Sequence, residues 1–301
     1  MLFNIKSKYI IEEIFSFFEE AKKLEIIRYN KKIQEKMGVT FETYKDFGKI
    51  EIEITMEKDH DIEGKEKFYF IHYNEKDELN YHIYFDDNEE EAKRNYIKLG
   101  EKVSKVKIII NRKVKTFFES FHNCILVKRI KFIKYNRKDI TRLSQLFYEC
   151  IRLKDLDITK LNMENVTNIN GLFQECEQLT RLDLSNMKTV KIKDMSNLFK
   201  LCAKLRYLDL SSFDTSNVKH MTGMFSCCFD LEEIKLSNFD THNVVDMANM
   251  FNRCKNLSNL DISHFNLTNV KTMKGMFAGT NEDLITKVKE QNKELKDEAF
   301  E

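Results

Sequence analysis

The sequence predicts an α/β solenoid built from short stacked coils, and three observations predict it. A phenylalanine recurs at 147, 173, 199, 225, 251 and 277, each 26 residues after the last. Six of the seven cysteines, at 124, 150, 176, 202, 228 and 254, keep the same spacing. Between these marks a helix-like periodicity gives way to the two-residue alternation of a strand. A fixed period in the range of about 20 to 50 residues marks stacked repeats, whose units bury a continuous core only against their neighbours.

The chain divides into 1–48, 49–113, 114–280 and 281–301. In the first stretch, "SKYIIEEIFSFFEEAKKLEIIRYNKKIQ", Ile10, Ile11, Ile14, Phe15 and Phe18, followed by Leu24 and Ile27, predict two short amphipathic helices. The second is β-rich. "IEIEITM" (50–56), "KFYFIHY" (67–73) and "LNYHIYF" (79–85) alternate with period two, as a small meander or an extension of the repeat sheet. "KVKIIINR" (105–112) is expected to cover the open edge of that sheet.

Within one repeat, "NVKHMTGMFSCC" (217–228) places Val218, Met221, Met224, Phe225 and Cys228 within an arc of roughly 120° at 100° per residue, one face of a helix. Asn217 stands where an N-cap belongs, and Asn165, Asn243 and Asn269 repeat it. In "LRYLDLS", Leu205, Leu208 and Leu210 point inward while Tyr207, Asp209 and Ser211 point outward, as in a short strand. A helix and a strand per unit make a leucine-rich-repeat coil, with a parallel sheet on the concave side. The first coil keeps Phe121 and Cys124, and after Phe277 the cysteine position becomes Thr280. Residues 282–298 read as a charged capping helix with Leu284, Ile285, Val288 and Leu295 on one side.

The adjacent thiols Cys227 and Cys228 are resolved by the register. Cys228 fills the repeated apolar slot. Cys227 takes the place of Glu149, Glu175, Leu201, Arg253 and Gly279, a position expected in solvent on the convex side. No paired C-x-x-C spacing occurs, so neither zinc nor redox chemistry is expected of them.

Composition narrows the function. A formal charge of +1 with 33% charged residues gives no global field toward nucleic acid or an anionic surface. Proline is absent, against about fifteen at average usage. At the start, Lys6, Lys8, Glu12 and Glu13 interrupt any apolar export core, and no apolar run is long enough to span a bilayer. Reduced cysteines and a cytoplasmic location are expected. Between 102 and 138, twelve basic residues face only Glu119. Without stacking aromatics or a recognition helix, that stripe reads as a solvated face rather than a nucleic-acid track.

No enzyme, cofactor or metal is expected. Gly171, Gly223 and Gly275 share one repeat position, where a small residue suits close packing, and form no phosphate loop. His220, His242 and His264 have no metal-ligand spacing. Aspartates 157, 183, 209 and 261 occupy one strand position, stacking about 4.8 Å apart, which is a ladder and not an acid–base pair. Its repulsion could be relieved by Ser185, Ser211, Ser237 and Ser263, by Lys235, or by a bound cation.

On these residues the chain resembles a known family. "VKHMTGMFSCCFDLEEIKLSNFDTHNV" is similar to the BspA-type leucine-rich repeat, V-x-x-M-x-x-M-F-x-x-C-x-x-L-x-x-L-D-L-S-x-F, over residues 114–280. The resemblance implies a right-handed solenoid that binds macromolecules without catalytic residues. Many bacterial members are surface proteins, so an adhesion role is one alternative. Ile14, Phe15, Ser16 and Phe18, with Leu24 and Ile27, resemble an F-box core. That implies a ubiquitin-ligase adaptor docking on Ile14, Phe15, Phe18, Leu24 and Ile27 while the repeats select a substrate. The other reading is a helical segment that packs on the solenoid. The principal expectation is a scaffold that binds a protein through its concave face. The face comprises Asp155, Asp157, Arg181, Asp183, Tyr207, Asp209, Glu233, Lys235, Asn259 and Asp261.

Overall fold

The computed structural model describes residues 27, 30–38, 46, 48–57, 64–114 and 116–301. Helix α1 (Lys31–Met37) opens on Asn30, whose side chain accepts from Ile33 N, and closes on Gly38 at φ 65°. Strands β1 (Ile50–Met56), β3 (Tyr81–Phe85), β5 (Lys105–Ile110), β6 (Val127–Tyr135) and β7 (Asp155–Asp157) form one mixed five-stranded sheet in the order β3-β5-β1-β6-β7. β2 (Lys67–Tyr69) pairs antiparallel with β4 (Tyr96–Lys98). β8 (Tyr207–Asp209) and β9 (Glu233–Lys235) pair in parallel.

The edge strand differs from expectation. β1, not β5, lies against β6, and β5 is one strand further out. Charge explains the order. Lys105 and Lys107 of β5 set beside Arg129 and Lys131 of β6 would oppose like charges. With β1 between them, Glu53 faces Lys107 on one side and Lys131 on the other. Ile50, Ile52 and Ile54 of β1 are fully buried beneath. The 50–56 and 79–85 segments thus extend the repeat sheet, while 67–69 joins a separate ribbon. One sheet crosses the expected boundary at 113.

A stack of parallel rings runs through the core. Phe121, Phe147, Phe173, Phe199, Phe225, Phe251 and Phe277 follow one another at centroid spacings of 5.4–5.9 Å. Phe300 extends the stack at 5.8 Å from Phe277. Six in-register cysteines lie buried beside it. Five of their thiols reach back to the previous repeat: Cys150, Cys176, Cys202, Cys228 and Cys254 donate to the carbonyls of Phe121, Phe147, Phe173, Phe199 and Phe225 at 2.9–3.3 Å.

The expected helix at 217–228 does not form. The N–H groups of Met221, Gly223, Phe225 and Cys227 donate to the carbonyls of Asp246, Ala248, Met250 and Asn252 at 2.8–2.9 Å. Met224, Ser226 and Cys228 donate instead three residues back. The alternation requires left-handed residues, and Gly223 and Cys227 have φ of 59° and 61°. Equivalent positions in every repeat do the same. A helix this short would leave its first four N–H groups without intrahelical partners. The cross-repeat ladder buries the same side chains and satisfies both neighbours, so it wins. Cys227 on this turn is half-buried rather than fully in solvent.

Helix α2 (Glu282–Gln291) is capped by Asn281 and buries Leu284 and Val288. It ends before the expected 298. The following tail replaces a further repeat: Gly275 N and Phe277 N donate to Glu298 O and Ala299 O at 2.7 Å. Among the described residues no helix is long and apolar enough to cross a membrane.

Candidate functional site

The outward side of the strands carries the residues singled out from the sequence: Asp155 and Asp157 share a concavity with Arg181 and Asp183, and Tyr207, Asp209, Glu233, Lys235 and Asn259 follow on paired strands. Each strand is held by a buried centre: Leu156, Leu208, Ile234 and Leu260 are at most 6% exposed. Period-two alternation then turns the flanking residues outward. Two columns result. One runs Arg129, Asp155, Arg181, Tyr207, Glu233, Asn259, and the other Lys131, Asp157, Asp183, Asp209, Lys235, Asp261. Bridges fix the register at Arg129↔Asp155, Lys131↔Asp157, Tyr207↔Glu233, Asp209↔Lys235 and Glu233↔Asn259.

The aspartate ladder is discharged locally. Asp157 Oδ1 accepts from Thr159 N at 3.1 Å and its hydroxyl at 2.7 Å. Asp183 and Ser185 repeat the arrangement at 3.0 and 2.7 Å, and Asp209 and Ser211 at 3.0 and 2.6 Å. Asp261 accepts from Ser263 N at 2.9 Å. Each carboxylate thereby ends its strand in an Asx turn. The serine hydroxyl and N–H hold Asp183 and Asp209 below the usual carboxylate range, and the Ser263 N–H does the same for Asp261. Among the described residues no group of three or more His, Cys, Asp or Glu side chains could hold a metal ion.

Tyr207 is the large aromatic of the face, 44% exposed. Its hydroxyl donates to Asp209 Oδ2 at 3.2 Å, and Lys235 Nζ lies 5.5 Å from its ring centre and 3.9 Å from Asp209 Oδ2. Next to it Arg206 Nε donates to Glu232 at 2.9 Å. A pre-set ring flanked by both charges offers a partner an apolar anchor with orienting ion pairs around it.

β6 adds residues that sequence reading had not assigned to the face. Arg129 pairs with Asp155, and Lys131 with Asp157 at 3.9 Å. Subtracting one period from 155 and 157 would have found them. Several other residues of the basic stripe are ion-paired. Lys107 meets Glu51 at 2.9 Å, Lys128 meets Glu57 at 3.9 Å and Lys138 meets Glu164 at 2.9 Å. Arg137 is buried against Asp139 at 2.9 Å.

Of the adaptor-docking candidates, Ile14, Phe15, Phe18 and Leu24 lie outside the described residues. Ile27 is 1% exposed, so its side chain is not available at the surface.

A family model described as "Mycoplasma protein of unknown function, DUF285" matches residues 113–226 and again 202–293. Its two matches together span the stacked phenylalanines and the exposed strand face. No curated protein and no solved structure matches the chain.

Proposed function

The chain belongs to the DUF285 family, Mycoplasma proteins of unknown function, and from that premise we propose that it is a non-catalytic binding protein. In this reading residues 114–280 form a right-handed leucine-rich-repeat solenoid of the BspA type. Its outward strand face recognises a protein partner. One observation carries the proposal. The first outward strand position changes in every repeat, as Asp155, Arg181, Tyr207, Glu233 and Asn259, while the phenylalanine, the cysteine and the strand-centre apolar residue recur beneath it. Core positions answer to packing; a variable, ordered and exposed row is free to answer to a partner. The row mixes both charges around Tyr207, and interface energy concentrates on aromatic and arginine anchors of that kind.

The test is affinity capture with the full chain, followed by binding measurements on variants. Arg181→Ala and Tyr207→Ala are expected to weaken the captured partner, each by about 2 kcal/mol, with little change in melting temperature. Lys200→Ala on the turn side serves as the control. A partner held equally by the wild type and by the Arg181→Ala/Tyr207→Ala double variant would refute the reading.

A further inference from the structure

The strand face is not continuous, and its one break has a specific chemistry. Between β7 and β8, residues 180–183 occupy the strand position of their repeat. Among the described residues, none of their backbone N–H or C=O groups bonds to the main chain of either neighbour. Elsewhere the strand side is closed: β6 and β7 share three register pairs, as do β8 and β9. The turn side of the same repeat is closed as well. Gly171, Phe173 and Glu175 N–H groups donate to Ser196, Leu198 and Lys200 carbonyls at 2.8–3.0 Å. The opening is therefore confined to the exposed face. Its centre, Leu182, is half-buried, whereas Leu156 and Leu208 are 6% and 1% exposed.

Two concavities lie between β7 and residues 180–183. One, of about 560 Å³, is lined by Thr55, Lys128, Arg129, Lys154, Asp155, Thr180 and Arg181. The other, of about 460 Å³, continues past Arg181 to Leu182 and Asp183. The first gathers four cations. Glu57 is shared between Lys128 and Lys154 at 3.9 and 3.8 Å, and Asp155 pairs with Arg129. Arg181 has no carboxylate partner among the described residues. Among the described residues, the first concavity sets four cations against two carboxylates, and the second sets Asp155, Asp157 and Asp183 against Arg181. The positive excess therefore lies at the Lys128, Lys154 and Arg181 end of a row of backbone donors and acceptors without main-chain partners.

We propose that this break is a docking slot for an extended acidic segment of a protein partner, which bonds to the 180–183 backbone and sets its carboxylates against Lys128, Lys154 and Arg181. Extended segments that add to exposed strand backbone gain affinity from main-chain hydrogen bonds and selectivity from neighbouring side chains. Opposite charge raises the encounter rate and rejects basic competitors. The inference rests on the binding-face reading above and assigns that face a partner class.

The test uses the full chain and a fluorescein-labelled decapeptide of alternating glutamate and valine. In the free chain, the amides of Arg181, Leu182 and Asp183 should exchange fast while those of Leu156 and Leu208 are protected, and the peptide should slow them. The Lys154→Glu/Arg181→Glu double variant should lose about tenfold or more in affinity while keeping its circular dichroism and melting temperature. Lys235→Glu, on the same face but away from the slot, should change it by less than about threefold. Protected amides at 181–183 in the free chain, equal binding of a lysine–valine decapeptide, full displacement by millimolar inorganic phosphate, or an undiminished double charge-reversal variant would each overturn the slot. If Tyr207→Ala still weakens a captured partner while the charge reversal is silent, the slot falls and the face stands. If both are silent, the face falls with it.

Discussion

Cys227 and Cys228 are covalent neighbours in different surroundings. Cys228 is buried with its thiol on the Phe199 carbonyl at 3.0 Å, while Cys227 sits half-buried on a left-handed turn with φ of 61°. Burial raises the Cys228 pKa well above its ordinary value, so its reactive thiolate is nearly absent. A native thiol titration should therefore label one cysteine, Cys227, and denaturant should raise the count to seven. Fast native labelling of three or more would contradict the packing. The same scale holds a glycine argument. Asn197, Gly223, Asn249 and Gly275 alternate at one left-handed position, and a Cβ on Gly223 would meet Asn197 Oδ1 at 2.7 Å. The amide in one repeat occupies the space a side chain of the next would take, which suits a glycine there. Gly223→Ala should cost about 1–2 kcal/mol for φ alone, plus the clash. Gly100→Ala, at φ 79° with nothing within 4 Å, should cost only the first part. Denaturant unfolding compares them, and adding Asn197→Gly to Gly223→Ala should remove the excess. Equal costs for the two alanine variants would eliminate the clash.

At the scale of the element, each repeat is joined to its neighbours by a ring stack, a thiol bond and a backbone ladder. Phe225 lies between Phe199 at 5.6 Å and Phe251 at 5.4 Å. Phe225→Ala should cost about 3–5 kcal/mol, and hydrogen exchange should show the loss in adjacent repeats first. Uniform weakening across the chain would contradict nearest-neighbour coupling. The recurrence of Phe225 and Cys228 was legible in the sequence because core packing repeats the same demand at one spacing. The backbone path between them was not. Val218, Met221, Met224, Phe225 and Cys228 are buried by a helix and by the observed ladder alike, so periodicity cannot separate the two. The distinguishing signal is the Gly and Asn usage at 171, 197, 223, 249 and 275, since those residues tolerate left-handed φ most readily. On the strand face, outward positions followed from alternation around the strand centres Leu156, Leu208 and Ile234. The break at 180–183 could not be read, because its sequence "TRLDLS" keeps the same alternation as "RYLDLS". Strand order near β1 was equally hidden, since it depends on charges meeting across strands far apart in the chain.

At the scale of the whole molecule, the buried thiols are expected to couple stability to pH, alongside Tyr81 and Tyr135, whose pKa values burial also raises. Cys150 is pushed up to about 12 by burial, against an ordinary 9.0, and Cys124, Cys176, Cys202, Cys228 and Cys254 are raised for the same reason. In the unfolded chain these thiols ionise near the ordinary value; in the folded chain they keep their protons. Their contribution to stability is complete below about pH 9 and is lost as pH rises toward the folded value. Each thiol adds a slope of about 1.4 kcal/mol per pH unit over that interval. Denaturation midpoints should fall steeply from about pH 9 to about pH 11, and less steeply in a Cys228→Ala/Cys254→Ala variant. An unchanged slope would mean the thiols are not the groups responsible.

The core and the face divide the molecule's work, with phenylalanines and cysteines stacked beneath and a variable charged row around Tyr207 above. The most direct test is the affinity of a captured protein partner for the wild type, the Arg181→Ala/Tyr207→Ala double variant and Lys200→Ala. The account predicts that the double variant loses on the order of 100-fold or more in affinity at an unchanged melting temperature, while Lys200→Ala binds as the wild type does. Wild-type affinity in the double variant would contradict it.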